Sequence, residues 1–356
     1  MADVWILGGT GRSGRAIAAQ LRKRGIRPVP VGRDAARLAA VAEGDRTVVA
    51  RSAEAMAAEI RRQRPAAVVN TIGPFTRTAP PTIRACLDAG SDYLDLANDL
   101  AAVATTLALG DAVAGSGRTV VTGAGFGVTA TESVVVKLCD GRTAPEQVRV
   151  DMVPSLDTQA GRLGEALAAT ILEGIPGVEG GGRYQGRRYR NGRLAPAPIG
   201  GDVMRLTLPD GEVVTAAGMP LGELLSAQRA SGAPNVIAAS SEAPSSPVVR
   251  VIFPIAAALL AIGPVRDFAI RRLAAVQVAA KPKPREHSWG HAVVRWADGT
   301  TREGWLRLGE AQEWTGAVPA EIVRRLLAGE GKAGAFTPAA LFGPSLAESC
   351  GAEYVV

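Results

Sequence analysis

A glycine-rich turn near the start of the chain restricts its fold more than any other stretch. The apolar run VWILGG leads into the spacing Gly9-x-Gly11-x-x-Gly14, and the helical pattern AIAAQLRKRG follows directly. In such a turn the glycines allow a tight bend, a close approach of the backbone to a pyrophosphate, and close packing of helix on strand. The helix amino terminus then faces the phosphates. We expect six residues to contact a dinucleotide: Gly9, Thr10, Gly11, Arg12, Ser13 and Gly14.

The end of the second predicted strand indicates which dinucleotide binds. IRPVPVGRD ends in Val31-Gly32-Arg33, without the preceding carboxylate that NAD sites use to bind the ribose 2′-hydroxyl. A guanidinium pairs well with a 2′-phosphate, and Arg12 is placed to flank it. The sequence therefore favours NADP(H), with Arg33 and Arg12 at the 2′-phosphate. The alternative is that Arg33 is a solvated loop residue.

Strand and helix patterns alternate through the first 124 residues. This alternation predicts an α/β fold with a Rossmann-type, doubly wound parallel sheet. Ligands bind at the carboxyl ends of the strands in such sheets. The loops after the fourth and sixth strands, NTIGPF and GAGFG, are therefore expected at the nicotinamide. The residues predicted to contact the cofactor there are Thr71, Gly73, Pro74, Phe75, Gly125 and Phe126.

Candidate catalytic residues follow or lie within the fifth strand, SDYLDLAND. Asp99 is the first candidate for an acid or an orienting group, and Asn98 is its polar partner. Either side chain is also a good amino-terminal cap for the helix that follows. Tyr93 is a further candidate proton donor, although a position inside a strand also suits a packing role.

Residues 125–305 lack the strand–helix rhythm of the first part. Turn signals at Asn191-Gly192, Asp210-Gly211 and Asp298-Gly299 each lie between strand-like segments and predict hairpins. We therefore expect a second, α+β domain with a mostly antiparallel sheet, which binds substrate or forms a dimer. An exposed edge of that sheet would allow a homodimer.

Four blocks of the sequence resemble one family. They are GGTGRSG, VVNTIGPF, ACLDAGSDYLDLAND and TVVTGAGFGVTATES, and their order and spacing resemble the saccharopine dehydrogenase-like NADP oxidoreductases. The resemblance covers about the first 135 residues and returns in FTPAALFGPSLAESCGAEYVV at the carboxyl end. It departs from the family after the tyrosine-aspartate strand, where many members carry Gly-Glu and this chain carries Asn98-Asp99. No catalytic role is therefore carried over to these two residues.

The resemblance implies a domain organisation and an activity. Residues 306–356 would pack back onto a Rossmann domain of residues 1–124, and residues 125–305 would form the second domain. The implied activity is NADPH-dependent hydride transfer to a C=N (imine) or activated C=C bond of a small or carrier-bound substrate in the interdomain cleft. The alternative is a non-catalytic protein that senses NADP and regulates a partner, because a fold alone does not decide function.

Charge and cysteine usage narrow the partners and the compartment. The net charge of +6 is mild for 356 residues and does not indicate a nucleic-acid partner. The three cysteines have neither metal-ligand spacing nor an even number, and no basic signal region precedes the first strand, so we expect a cytoplasmic protein. His287 and His291 lie four apart without a third ligand, so no metal site is predicted.

One segment, VVRVIFPIAAALLAIGPV at residues 248–265, is apolar apart from Arg250. It is shorter than the roughly 20 apolar residues of a membrane span, and two prolines interrupt it. We therefore predict a buried or interfacial helix, with membrane contact that is at most peripheral.

Overall fold

The computed structural model describes residues 3–157, 160–164, 168–169, 172 and 186–356. The strands are β1 (Val4–Leu7), β2 (Pro28–Gly32), β3 (Val48–Val49), β4 (Ala67–Asn70), β5 (Asp92–Asp95), β6 (Thr119–Val121), β7 (Gln147–Val153), β8 (Gly161–Arg162), β9 (Gly186–Arg190), β10 (Arg193–Ala197), β11 (Met204–Thr207), β12 (Val213–Gly218), β13 (Asn235–Ser240), β14 (Gln277–Val278), β15 (Ser288–Arg295), β16 (Thr301–Leu308), β17 (Gly334–Phe336) and β18 (Glu353–Val355).

The helices lie between these strands. They are α1 (Arg12–Lys23), α2 (Ala35–Val41), α3 (Ala53–Gln63), α4 (Phe75–Ala89), α5 (Leu100–Leu107), α6 (Gly110–Gly115), α7 (Phe126–Cys139), α8 (Glu223–Ser231), α9 (Pro247–Leu260), α10 (Gly263–Ala274), α11 (Ala311–Leu327), α12 (Pro338–Phe342) and α13 (Ser345–Ser349).

The chain divides into two compact units, each built from separate stretches. Unit 1 comprises Met1–Ala97, Ala102–Phe126 and Gln312–Cys350. Unit 2 comprises Asn98–Ala101, Gly127–Ala311 and Gly351–Val356.

The described residues of unit 1 contain one seven-stranded parallel sheet. Its strand order is β17-β6-β5-β4-β1-β2-β3, in which the chain reverses direction across the sheet between β1 and β4. All four residues of β1 are buried, as expected of a strand covered on both faces. The apolar cluster around Trp5, Leu7 and Val29 includes Met56 and Ile60 of α3. The predicted doubly wound Rossmann-type sheet is thus confirmed, with β17 as an additional edge strand.

Unit 2 contains a nine-stranded mixed sheet within its described part. Its main path is β10-β9-β13-β7-β15-β16-β18, with β12 and β11 joined to β13. Only β13 and β7 pair in parallel, so the sheet is mostly antiparallel, as predicted. Its hairpins turn where the sequence indicated, and Asn191, Gly192, Gly211 and Gly299 have positive φ there.

The unit bounds differ from the predicted domain bounds, 1–124 with 306–356, for reasons of strand pairing. Residues 351–356 belong to unit 2 because β18 pairs with β16, with Leu306 opposite Tyr354. Residues 98–101 belong to the same unit, and Asp99 forms an isolated antiparallel bridge with Leu221. The helices α11 to α13 lie almost wholly in unit 1.

No single helix in the described part of the chain is long and apolar enough to cross a membrane. The stretches Ile252–Leu260 and Gly263–Ala274 reach the required length and apolarity only together, and they are bent by 105° at the break between them.

Helix α7 packs against the unit 2 sheet at a glycine, which generates a prediction. A Cβ atom at Gly290 of β15 would lie 2.9 Å from both the carbonyl carbon and Cβ of Ala130. Because backbone cannot move aside cheaply, we expect Gly290→Ala to lower the free energy of unfolding by about 1–3 kcal/mol. The control Gly309→Ala, where nothing lies within 4 Å, should change it by less than about 0.5 kcal/mol. Equal effects in chemical denaturation would contradict the close contact.

Candidate functional site

The glycine turn between β1 and α1 packs so closely on its neighbours that side chains do not fit at several of its positions. Gly8 has a φ of +80°, and the Gly8 and Gly9 amides donate to the Val31 carbonyl over 3.0 and 3.1 Å. A Cβ at Gly14 would lie 2.4 Å from the Gly8 carbonyl oxygen, and one at Gly9 would lie 2.7 Å from Pro30 Cβ. The roles of Gly9 and Gly14 in close packing thus have a steric basis. Position 8 also requires glycine, although it lies outside the Gly9-x-Gly11-x-x-Gly14 spacing.

The amino terminus of α1 has the character of an anion site. Its cap residue, Gly11, is exposed and supplies no side-chain hydrogen bond, and the first turn carries no acidic residue. The helix therefore presents its positive end with unsatisfied amides, which suit a pyrophosphate. Ser13 accepts a hydrogen bond from Gln312 of the same unit at 3.0 Å, and Arg15 donates to the Thr10 carbonyl at 2.6 Å. These two bonds hold the turn beside the helix end.

Asp34, which follows the end of β2, accepts hydrogen bonds from the protein's own backbone. Asp34 caps α2, since its Oδ1 accepts from the amides of Ala36 at 2.9 Å and Arg37 at 3.1 Å. Arg33 is exposed beside it, and so is Arg12 in the glycine turn. Neither of these two arginines forms an ion pair with any residue that the structure describes. The end of β2 therefore presents an exposed arginine beside a carboxylate whose Oδ1 caps α2.

The loop after β4 lies against the glycine turn. Thr71 Oγ1 donates to the Leu7 carbonyl at 2.7 Å, and a Cβ at Gly8 would lie 2.6 Å from that same hydroxyl. Gly73 and Pro74 follow, with Pro74 as the cap of α4, and Phe75 begins that helix as a buried residue. Since β1 and β4 are neighbours where the strand order reverses, these two loops border the crevice where doubly wound sheets bind ligands.

Buried polar side chains connect the ends of β4, β5 and β6. Asn70 donates to the Tyr93 hydroxyl at 3.1 Å, and Tyr93 donates to Asp95 Oδ2 at 3.0 Å. Asp95 Oδ1 accepts from the Ala97 amide at 3.0 Å and from the Thr122 hydroxyl at 2.8 Å. Tyr93 is fully buried, and burial raises its pKa well above the ordinary value. Its hydroxyl is thus occupied within the core of unit 1.

Asp95 is a fully buried acid at the centre of this network. Burial raises its pKa to about 6, although hydrogen bonds from Ala97, Thr122, Gly123 and Tyr93 oppose the shift. These donors come from the segments that leave β5 and β6. The carboxylate therefore fixes the loops at the carboxyl ends of two adjacent strands. The sequence signal for it was an acidic residue at the end of the short fifth strand.

The loop after β6 approaches α11 within unit 1. The Phe126 amide donates to Thr315 Oγ1 at 3.2 Å, and the Phe126 ring packs edge-on against Trp314 with centroids 6.4 Å apart. Gly125 is half-buried, and a Cβ there would have no heavy atom closer than the Leu96 carbonyl oxygen at 3.9 Å. The protein's own packing thus leaves room at Gly125, in contrast to Gly14.

Asn98 and Asp99 continue from β5 into unit 2, where Asn98 contacts a buried acid. The Asn98 amide is oriented so that Nδ2 donates to Glu223 Oε2 at 2.9 Å and Oε1 at 3.1 Å. The Gly222 amide donates to the Asn98 carbonyl at 2.9 Å. Asp99 is half-buried, and its backbone pairs with Leu221. The start of α8 is thereby tied to the segment that follows β5.

Glu223 also lies against the segment that follows β6. A Cβ at Gly127 would lie 2.0 Å from Glu223 Oε1 and 2.9 Å from Met152 Sδ, so only glycine fits there. Glu223 is 1% exposed, and burial raises its pKa to about 7 against hydrogen bonds from its own backbone and from Asn98. This carboxyl group therefore changes protonation near neutral pH. Nothing local in the sequence distinguishes Glu223, because its contacts lie about 100 residues earlier in the chain.

His291 lies in a separate polar cluster inside the unit 2 sheet. Its Nδ1 is 2.9 Å from Asp151 Oδ2, its Nε2 is 3.0 Å from Glu303 Oε1, and its ring stacks on Trp305 at 3.9 Å. Burial raises the pKa of Asp151, but hydrogen bonds from His291 and Arg149 outweigh burial and hold it below its ordinary value. With His291 fully buried between these groups, the cluster is structural.

Part of unit 1 matches a known family of nucleotide-binding domains. Residues 4–121 match the model of the family described as the saccharopine dehydrogenase NADP binding domain. Unit 1 is built around a domain of that family. Its cofactor is therefore a nicotinamide dinucleotide, and the glycine turn, the uncapped α1 terminus and the Thr71 loop fit that group.

Relatives among characterised proteins match a limited part of the chain. The trans-acting enoyl reductases of Mycobacterium tuberculosis and Mycobacterium bovis are 33% identical over 107 residues, which cover 28% of this chain. The match spans only 26% of those relatives.

Two solved structures share the fold over nearly the whole chain. Apo saccharopine dehydrogenase (L-Glu forming) from Saccharomyces cerevisiae has a TM-score of 0.59 at 12% identity and covers 100% of both chains. Homospermidine synthase from Legionella pneumophila, in complex with NAD, has a TM-score of 0.59 at 12% identity and covers 99% of this chain and 91% of its own. These likenesses establish the shared fold of both units.

The buried acid Glu223 generates a prediction about pH. Between pH 4.5 and 7 the native protein retains a proton on Glu223 that the unfolded chain releases, so this group makes the free energy of unfolding fall as the pH rises. A pKa raised from 4.5 to about 7 corresponds to a loss of about 3 kcal/mol. Glu223→Gln should remove that part of the decline in denaturation curves measured from pH 4.5 to 8.

The control for this experiment is Glu286→Gln, which changes a largely exposed acid of the same unit. It should leave the pH profile of stability as in the wild type. Parallel profiles for wild type and Glu223→Gln would contradict a native Glu223 that is protonated at mildly acidic pH.

Proposed function

We propose that this protein is an NADPH-dependent reductase that transfers hydride to a C=N or an activated C=C bond. The observation that carries the proposal is the pair of loops around Gly8 and Thr71, next to an exposed cation at the end of β2. The substrate is a small molecule or a carrier-bound chain. The relatives include an enoyl reductase and a dehydrogenase, which agree with this class of chemistry.

The preference for NADPH over NADH rests on Arg33. NAD sites use a carboxylate at the end of the second strand to bind the ribose 2′-hydroxyl. Here the nearest carboxylate, Asp34, is engaged by two amides of α2, and Arg33 and Arg12 are exposed. A guanidinium binds a phosphate with two parallel hydrogen bonds, and its positive charge does not repel any group of the ribose. The two arginines would therefore hold the 2′-phosphate.

The remaining cofactor residues would act through their backbones and shapes. The α1 terminus, from Gly11 to Gly14, would hold the pyrophosphate by its amides. Gly9, Thr10, Ser13, Gly73, Pro74 and Phe75 would line the same crevice, and Gly125 and Phe126 would border the nicotinamide. The bound dinucleotide supplies the hydride, and the protein supplies position and electrostatics.

Completion of the reduction requires one proton, and we assign its transfer to residues that follow β5. Asp99 is the proposed proton donor, with Asn98 orienting the reacting group. Glu223 fixes the Asn98 amide through two hydrogen bonds and changes protonation near pH 7. A change of charge on Glu223 would alter how firmly Asn98 is held, so Glu223 acts as a positioning residue. Tyr93, with its hydroxyl bonded to Asp95, would support the same loop from the core.

A titration of purified protein with NADPH and NADH tests the cofactor assignment. Loss of a charge-assisted hydrogen bond costs about 1.5–3 kcal/mol, so Arg33→Ala should raise the Kd for NADPH about 10- to 100-fold. The Kd for NADH should change less than about threefold, because that nucleotide lacks the 2′-phosphate. The matched control is Arg84→Ala, which removes an exposed arginine from the middle of α4.

A screen of cyclic imines and of lipid-like enones, with NADPH oxidation as the readout, tests the reaction. Turnover of either class would assign the bond that is reduced. Tight NADPH binding without oxidation across both classes would favour the alternative, a protein that senses NADP and regulates a partner. Absence of binding by both nucleotides would refute the reductase proposal.

The room at Gly125 generates a second prediction about the cofactor. The Cβ of an alanine fits there within unit 1, since the nearest heavy atom is 3.9 Å away. We therefore expect Gly125→Ala to keep the melting temperature within about 2 °C of the wild type. If the nicotinamide approaches this backbone, the same variant should weaken NADPH binding by at least about tenfold. Unchanged affinity would exclude Gly125 from the cofactor site.

A further inference from the structure

An exposed apolar surface lies on the consecutive helices α9 and α10 of unit 2. Six large apolar side chains there are between 39% and 63% exposed. We name them the apolar surface: Ile252, Ile255, Leu259, Ile262, Val265 and Phe268. Monomeric soluble proteins seldom expose a contiguous patch of large apolar residues unless it binds something.

The exposed apolar side chains of α9 lie on one face of the helix. Ile252, Ile255 and Leu259 are spaced by three and four residues and therefore share one face of the helix. Ala257, on the opposite side, is fully buried. On α10, Val265 and Phe268 are likewise exposed whereas Ile270 is buried in a cluster with Ala168 and Ala169. Both helices thus direct several of their large apolar side chains outward.

The geometry suits a surface that lies on a bilayer, and it does not suit a span. Helix α9 has 14 residues and is about 21 Å long, which is less than the roughly 30 Å of a hydrocarbon core. The chain then bends by 105°, with the exposed Ile262 at the bend. Short amphipathic helices of this kind lie in the plane of the membrane interface with their apolar side chains toward the acyl chains.

The charge around the apolar surface is strongly positive. Residues 247–285 contain seven basic side chains and one acidic side chain, a net charge of +6 that equals the net charge of the whole chain. Arg271 and Arg272 are exposed at the end of α10, and Arg272 lies 5.2 Å from the centre of the Phe268 ring. Lys281 is also exposed. Apolar side chains bordered by cations match an anionic lipid surface in both respects.

We propose that the apolar surface, with Arg271 and Arg272, binds the protein reversibly to membranes that contain anionic lipid. A second copy of the chain is a poorer fit, because a symmetric contact would bring these arginines toward their own copies. The proposal goes beyond the proposed reductase activity and does not depend on it.

Co-sedimentation with sucrose-loaded vesicles tests the proposal directly. The protein is mixed with vesicles of phosphatidylcholine alone or with an equal amount of phosphatidylglycerol, and the bound fraction is measured against lipid concentration. We expect binding to the phosphatidylglycerol vesicles that is at least tenfold tighter than to phosphatidylcholine alone. It should weaken as NaCl is raised from 0.1 to 0.5 M.

Variants separate the apolar and the charged contributions. Ile255→Ser with Leu259→Ser should weaken binding to phosphatidylglycerol vesicles at least tenfold, because two apolar side chains are lost. Arg271→Gln with Arg272→Gln should weaken it about tenfold and reduce its salt dependence. The matched control is Val203→Ser with Met204→Ser, which changes two exposed apolar residues of the same unit away from these helices. The control should bind vesicles as the wild type does.

Folding and nucleotide binding are measured in parallel on every variant. Unchanged melting temperature and NADPH affinity with lost vesicle binding support the proposal, and a failed reductase screen leaves this result intact. Absence of vesicle binding by the wild type overturns the proposal. Equal loss in the Val203/Met204 control also overturns it. One further outcome is that the wild type does not bind vesicles but self-associates in sedimentation velocity, whereas the Ile255/Leu259 variant does not self-associate. This outcome would overturn the membrane proposal and assign the apolar surface to contact with a second copy of the chain.

Discussion

The hydrogen bonds around the buried Asp95 carboxylate determine the geometry of the candidate site. Burial opposes the charged form of this acid, and donors from Ala97, Thr122 and Gly123 compensate for the lost hydration. These donors belong to the segments where β5 and β6 end. The backbone that continues into Asn98, and the backbone that continues into Gly127, therefore begin from fixed positions. Within unit 2, Glu223 contacts both of these continuations, at Asn98 and at Gly127.

Features encoded by neighbouring residues could be predicted from the sequence. The spacing of Gly9, Gly11 and Gly14 predicted the turn, and the alternating patterns predicted the parallel sheet. Dipeptides such as Asn191-Gly192 predicted hairpins, because they adopt positive φ readily. The sequence has Asp34 directly after Arg33, but it does not show the role of Asp34, because the choice between capping a helix and binding a ribose depends on side-chain orientation. The cap was found only in the structure.

Features that depend on distant contacts could not be predicted. Glu223 meets Asn98 and Gly127 only after the chain has folded, and an acid at the start of a helix has an ordinary appearance in a sequence. The pairing of β18 with β16 assigned the last residues to unit 2, although the sequence blocks suggested one carboxyl-terminal region. The apolar run at 248–265 predicted a helix, but its hydrophobicity did not reveal that Ile255 points outward while Ala257 is buried. Periodicity identifies faces of a helix, and only packing shows which face is covered.

The edge strand β17 has a consequence for the order in which the protein can be made. It comes from residues 334–336 and pairs with β6, which comes from residues 119–121. A ribosome therefore completes most of unit 2 before the last strand of the unit 1 sheet emerges. Until then β6 has an unpaired backbone edge, which is the kind of surface that seeks other strands. Vectorial synthesis thus leaves the nucleotide-binding sheet open at β6 until residues 334–336 emerge, and the unit 2 sheet receives its own last strand, β18, only after that.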